Sequence, residues 1–193
     1  MNSRQHPVPL WRQLIATSSV IVAVRSGTSG TAAIDAVSDE LRSGVQALAF
    51  HVLRNLGRAQ ALSKLLANKR PPAHVDALLC VGIALAWHED DAPYDVFTLV
   101  NQTVEAAKRN PTTKAQASFV NACMRRFLRE RASLIAATND DPVACWNFPR
   151  WWIQRVASEY PEHWQEILHA SNRQAPMTLR VNQRRCEISR FGA

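Results

Sequence analysis

Ala117-Ser-Phe-Val-Asn-Ala-Cys-Met-Arg-Arg-Phe-Leu-Arg129 carries the clearest periodicity in the chain. Ala117, Val120, Met124, Phe127 and Leu128 recur at helical spacing, and Leu134 and Ile135 extend the stripe. Such spacing lays apolar groups along one side of an α-helix. Arg125, Arg126, Arg129 and Arg131 fall between them, so the helix has a side to bury and a cationic side.

The helical period runs outward in both directions. Over residues 9–23, Leu10, Leu14, Ile15, Ile21 and Val22 mark a first helix, which Gly27-Thr-Ser-Gly30 breaks. Ser38 suits a helix cap, with Asp39 and Glu40 in the favourable first turn. Val45, Leu48, Val52, Leu53 and Leu56 form the next stripe; Leu62, Leu65 and Leu66 continue it past Gly57, until Pro71-Pro72 stops it. Val75, Leu78, Leu79, Gly82, Leu85 and Ala86 follow. Pro93 suits a helix start, with Val96, Leu99, Val100, Val104 and Ala107 behind it and a turn at Asn110-Pro111. Thr138-Asn-Asp-Asp-Pro142 has the composition of a linker. Trp151, Trp152, Ile153 and Val156 predict a helix that Pro161 ends, and Trp164, Ile167 and Leu168 predict another.

Leu179-Arg-Val-Asn182 reads as a short strand. A lone strand cannot satisfy its own backbone groups, so the sequence looks like the front part of something larger. The expected fold is all-α: a helical bundle over residues 1–140, a helical linker over 141–175, and a single strand stub with a tail over 176–193.

Composition narrows the function. Hydrophobic residues make up 47% of the 193, enough for a real core. The apolar runs are short and interrupted, and the first residues lack a secretory apolar segment, so no membrane partner and a cytoplasmic location are expected. Cys80, Cys123, Cys145 and Cys186 show no Cys-x-x-Cys spacing, which points to reduced thiols. The formal charge is +7, and only four of the 23 basic residues are Lys. Arg forms bidentate contacts with phosphate and stacks on bases, so the basicity leans towards nucleic acid; a genome that favours Arg codons gives the same count.

The sharpest basic cluster is Arg125, Arg126 and Arg129, with Lys108, Arg109 and Lys114 bracketing the turn before that helix. Together they could meet an RNA backbone; the alternative is a solvated face neutralised by Glu130. Asn121 lies near the apolar stripe and is expected to hydrogen-bond an adjacent helix or turn. Trp151 and Trp152 could stack on bases, but aromatics at helical spacing favour a domain interface, together with Leu179. His88-Glu89-Asp90-Asp91 could suggest a metal, yet neighbours on a turn converge poorly, so a solvated turn and no metal are expected. Cys80 and Cys123 sit on apolar stripes as core thiols. No Walker-type or G-x-G-x-x-G loop is present, and no constellation could run a reaction by itself.

Three of these stretches resemble the NusB-like family. They are Ser118-Phe-Val-Asn-Ala-Cys-Met-Arg-Arg-Phe-Leu-Arg129, Ala49-Phe-His-Val-Leu-Arg54, and the helix around Val100-Asn101-Gln-Thr-Val104-Glu105. That family includes the antitermination factor NusB and the N-terminal domain of bacterial 16S ribosomal RNA cytosine-5 methyltransferases of the Sun/Fmu type. Trp151-Trp152-Ile-Gln-Arg155, Tyr160-Pro-Glu-His-Trp164, Asn172-Arg-Gln-Ala-Pro176-Met177 and Leu179-Arg-Val-Asn182 resemble the methyltransferases, since free NusB ends soon after the Asn–Arg helix.

The resemblance implies an RNA-binding domain for small-subunit ribosomal RNA, with ribosomal proteins as further partners and no DNA. It also implies a parent enzyme that uses S-adenosylmethionine, bound through a glycine-rich loop, with paired catalytic cysteines in Pro-Cys and Thr-Cys motifs. This sequence has none of these: Cys145 precedes Trp, and Cys186 stands in Arg185-Cys-Glu-Ile-Ser-Arg-Phe-Gly-Ala193. No catalytic residue and no cofactor are therefore expected here, and the tail departs from the family as a truncated, frameshifted or cut sequence would. A free-standing NusB-type factor and a protein–protein adaptor are the alternatives.

Overall fold

The computed structural model describes residues 8–67, 69–87, 94–176, 178, 180, 182 and 184–185. His88–Asp91, Pro93, Leu179 and Cys186 lie outside the described residues. The helices are α1 (Leu10–Arg25), α2 (Gly30–Asp35), α3 (Asp39–Arg54), α4 (Leu56–Leu66), α5 (Ala73–Ala86) and α6 (Val96–Arg109). A 3₁₀ turn at Lys114–Gln116 leads into α7 (Ala117–Arg129), α8 (Arg131–Ala136), α9 (Pro142–Trp146), α10 (Arg150–Glu159) and α11 (Trp164–Ser171).

α5 is the centre. Every residue from Val75 to Ala86 is buried, so the helix has no solvent face. α1, α3, α4, α6 and α7 pack around it. Gly82 lets α7 come close: a Cβ there would lie 3.0 Å from Met124 Sδ and 3.2 Å from Thr103 Cγ2. The buried Thr103 hydroxyl donates to Leu99 O of its own turn at 2.8 Å, so this polar group is satisfied inside the core. Leu14, Ile21, Leu62, Leu99 and Phe127 complete the same core.

Asp76 enters this core with two partners. Ser63 Oγ donates to Oδ1 at 2.7 Å, and Arg25 Nη2 lies 2.8 Å from Oδ2. The pair ties the end of α1 to the start of α5.

Several elements escape the sequence period. Gly27 takes the left-handed conformation, φ 99°, and does break the chain. The following Ser29 then caps α2, its Oγ accepting from Ala32 N at 3.2 Å. Ala33 and Ile34 bury against Val20, Val45 and Ala49. Six residues are too few for periodicity to register. The last stripe is split at Glu130, whose φ −111° and ψ 17° separate α7 from α8.

Thr138–Pro142, which has the composition of a linker, is tied to α4. Thr138 is buried, and Arg58 Nη1 of α4 donates to Thr138 Oγ1 at 2.7 Å and Asn139 Oδ1 at 2.8 Å. α9 then packs on α4 across Gly57, where a Cβ would sit 2.3 Å from Val143 O. Asn147 ends α9 in the left-handed conformation, φ 60°.

Three asparagines finish α3. Asn55 Nδ2 donates to His51 O at 3.0 Å, Asn147 Nδ2 to Leu53 O at 2.8 Å, and Asn172 Nδ2 to Arg54 O at 2.8 Å. Asn55 N meets the remaining carbonyl, Val52 O, at 3.0 Å. Helix ends leave such carbonyls without partners, and here two amides come from the C-terminal helices. Asn147 Oδ1 also accepts from Gly57 N at 2.7 Å, and its Nδ2 meets Asn172 Oδ1 at 3.1 Å. Ile153, Val156 and Leu168 form a small core beyond, with Trp146 edge-on to Trp164 at 5.1 Å.

The expected strand at Leu179–Asn182 falls partly outside the described residues; Arg180 and Asn182 are described without strand structure, and no strand occurs among the described residues. No helix among the described residues is long and apolar enough to cross a membrane.

Two outcomes follow from these contacts. Arg25→Met leaves the Asp76 carboxylate buried without its cation, at a cost of about 3 kcal/mol in urea unfolding. Arg25→Met combined with Asp76→Asn removes both charges and keeps an acceptor for Ser63, so it is expected to recover most of that loss. Equal losses in the single and double variants would show that the unpaired charge is not the cause. Gly57→Ala drives a methyl into Val143 O, and about 1–3 kcal/mol of destabilisation is expected. It should speed proteolysis after residue 136 and leave α5 protected from hydrogen exchange.

Candidate nucleic-acid interface

α6 and α7 run side by side and enclose an open groove of about 500 Å3. Lys108 comes to it from α6, and Ser118, Asn121 and Arg125 come from α7, with Asn101 and Glu105 completing the wall. α6 buries Leu99, Val100, Thr103, Ala106 and Ala107, which turns Lys108 outward. α7 buries Val120, Cys123, Met124 and Phe127, which leaves Asn121 and Arg125 on the groove side. The first residues of α7, Ala117 and Ser118, also line this groove.

The six cationic residues singled out from the sequence separate into groups. Lys108 and Arg125 share the groove, and Lys114 is exposed on the 3₁₀ turn that precedes α7. Arg109 turns away: its guanidinium bonds Glu105 of the previous turn and lies 4.7 Å from the centre of the Trp11 ring. That contact fastens α6 to the start of α1 and partly neutralises the acid that lines the groove. Arg126 and Arg129 reach Glu130 at 2.9 and 3.1 Å. The Arg126 hydrogen bond, with Arg129 adding to it, holds the Glu130 carboxyl below its ordinary pKa. These two arginines therefore share a carboxylate of their own, while Arg125 is held by an amide.

Asn121 is half-buried and differs from the expected cross-helix role: its Oδ1 accepts from Arg125 Nε at 3.2 Å, on the same helix. It orients the guanidinium at the groove. Asn101 and Ser118 belong to this wall although charge counting passes over them; their signal was only their place beside Lys108 and Asn121 at helical spacing. Trp151 and Trp152 stand on the open side of α10, 64% and 40% exposed and edge-on to each other at 5.6 Å. Among the described residues no three His, Cys, Asp or Glu side chains converge as a metal site would require.

The thiols are placed apart from this groove. Burial raises the Cys80 thiol to about 12, and burial also raises Cys123. Cys145 is exposed, its Sγ donating to Asn139 O at 3.0 Å.

Residues 15–129 match the NusB family, more than half of the 193-residue chain. The chain belongs to the NusB family. Residues 148–191 match a second family, the methyltransferase RsmF/B-like, ferredoxin-like domain. Ribosomal RNA small subunit methyltransferase B of Escherichia coli is 34% identical over 152 residues, covering 76% of this chain and 34% of that protein. The same-named protein of Pseudomonas putida is 32% identical over 178 residues, covering 88% of this chain and 40% of its own length. A probable ribosomal RNA small subunit methyltransferase B of Coxiella burnetii is 29% identical over 171 residues, covering 86% of this chain and 39% of that protein. The chain thus spans between a third and two fifths of the relatives it matches.

The thiol order is testable by iodoacetamide labelling with site-resolved mass spectrometry. Cys145 should label in the native protein, while Cys80 and Cys123 should label only on unfolding, since the thiolate is the reacting form. Native labelling of Cys80 at the rate of Cys145 would contradict the packing of α5.

Proposed function

We propose that this chain is the RNA-binding N-terminal part of an S-adenosylmethionine-dependent methyltransferase acting on cytosine carbon 5 of small-subunit ribosomal RNA. The observation that carries the reading is the α6/α7 groove. Two helices from separate stretches of sequence bring Lys108 and Arg125 together beside the α7 N-terminus, with amide and hydroxyl groups between them. Such a surface suits a phosphate backbone: cations supply affinity, and neutral donors fix the strand's position. Similarity to methyltransferase B along both the bundle and the helices after it supports the rest.

Lys114 adds charge at the rim. Arg109, Arg126 and Arg129 contribute to the wider positive field, while holding Trp11 and Glu130 in place. Trp151 and Trp152 form a face for the remainder of the enzyme. Exposed aromatic pairs of this kind commonly mark an interface. In this reading the methyl donor is held outside this chain; of the described glycines, Gly27 makes a turn and Gly30, Gly44, Gly57 and Gly82 sit within helices, unlike a glycine-rich donor loop. Donor binding and the cysteine chemistry belong to the rest of the parent enzyme, which works in the reducing cytoplasm.

Filter binding to a small-subunit ribosomal RNA fragment tests the reading. Affinity should fall as salt rises, and Lys108→Ala with Arg125→Ala should weaken binding roughly tenfold or more. The salt slope should flatten by about 0.7 for each phosphate that is no longer neutralised. Asn121→Ala should weaken binding less, with folding intact. Calorimetry with S-adenosylmethionine should give no heat of binding. Salt-independent or absent RNA binding, with tight binding to a ribosomal protein, would replace this reading with an adaptor.

A further inference from the structure

α11 returns to the end of α3 and closes a second cleft, of about 400 Å3. His51, Arg54 and Asn55 form one wall, and His169, Asn172 and Arg173 form the other. Among the described residues no carboxylate lines it. Several arginines on other helices do have acidic partners: Arg25 has Asp76, Arg109 has Glu105, Arg126 has Glu130, and Arg155 has Glu159. Among the described residues no ion pair uses Arg54, His169 or Arg173.

The end of a helix normally repels an anion, because its free carbonyls form the negative end of the dipole. Here that repulsion is reduced. The Leu53 and Arg54 carbonyls are already taken by the Asn147 and Asn172 amides, and His51 O is taken by Asn55. What remains at the cleft is two guanidinium groups, imidazole and amide donors, and a wall fixed by the hydrogen bonds that hold α11 on α3. His51 belongs to that fixed wall, since its Nε2 lies 3.2 Å from Ala84 O of α5.

We propose that this cleft holds a phosphodiester of a bound RNA strand, with Arg54 and Arg173 on the phosphate oxygens and His169 and Asn172 donating alongside. The planar fork of Arg matches two phosphate oxygens at once. The chain's charge of +7 favours a polyanion over an isolated acidic side chain. This deepens the RNA-binding function proposed above and rests on it, but uses α3 and α11 rather than α6 and α7. It also gives the asparagine bonds a second role: they both attach the C-terminal helices and build the site.

Fluorescence anisotropy with a labelled small-subunit ribosomal RNA fragment separates the two proposals. Arg173→Gln alters an exposed residue beyond the end of α11 and leaves the core untouched. Arg54→Gln alters a half-buried one, so its helicity and melting are recorded beside the binding. Each is expected to weaken RNA binding several-fold, and both together roughly tenfold or more, with the salt slope flattened by about 0.7 for each phosphate left without its cation. The effect should multiply with that of Lys108→Ala and Arg125→Ala, because the residues share no partner. If the unaltered chain binds RNA with the usual salt dependence and the Arg54/Arg173 double variant binds equally well, the cleft proposal falls alone. If the unaltered chain shows no salt-dependent binding, the RNA function falls and takes the cleft with it. Loss of inorganic phosphate binding in the double variant, with RNA binding unchanged, would assign the cleft to free phosphate. Lost binding of a polyglutamate peptide with RNA binding unchanged would assign it to a protein partner.

Discussion

A helix with twelve successive buried residues, Val75 to Ala86, has no side it can show to water. Transfer of apolar surface out of water scales with the area covered, so such a helix is stable only when neighbours close around it. α1, α3, α4, α6 and α7 supply that cover, and their places follow from it. Gly82 sets how near α7 can come, because Met124 occupies the space a side chain would need. The groove between α6 and α7 is a consequence: both helices turn their apolar faces to α5, and their polar residues meet on the outside.

The C-terminal helices are attached by a different force. Their own small apolar core is separate from that of the bundle, and hydrogen bonds between distant residues join the two. Asn147 and Asn172 satisfy the last carbonyls of α3 and the Gly57 amide, across separations of 90 to 118 residues. A buried backbone group without a partner costs about 1–3 kcal/mol, so these side chains define a specific seat for α9 and α11. Gly57 makes that seat possible by leaving room for Val143 O.

Charge is organised by pairing. The chain carries an excess of cations, yet Arg25, Arg109, Arg126 and Arg129 each have a carboxylate within reach. The exposed pairs among these, those of Arg109, Arg126 and Arg129, contribute little to stability, and their main effect is to decide which cations face outward uncompensated. Lys108 and Arg125 in the groove, and Arg54 and Arg173 in the second cleft, are such cations.

The sequence by itself determined the helical class, the stripes of α1, α3 to α7, α10 and α11, and the burial of Cys80 and Cys123, because a period of 3.6 residues is a local property. It also pointed to the stretch that carries Asn121 and Arg125, through the resemblance of that stretch to a family. It missed α2 and α9, which are too short for a period, and read Thr138–Pro142 as a linker from its composition, with no sign of the bonds from Arg58 that hold it. Only the tertiary structure divided the six cations, since Glu105, Glu130 and Trp11 choose their partners across turns and between helices. It alone gave Gly57, Asn147 and Asn172 their roles: a close approach or a side-chain hydrogen bond across 90 to 118 residues leaves no mark in local spacing.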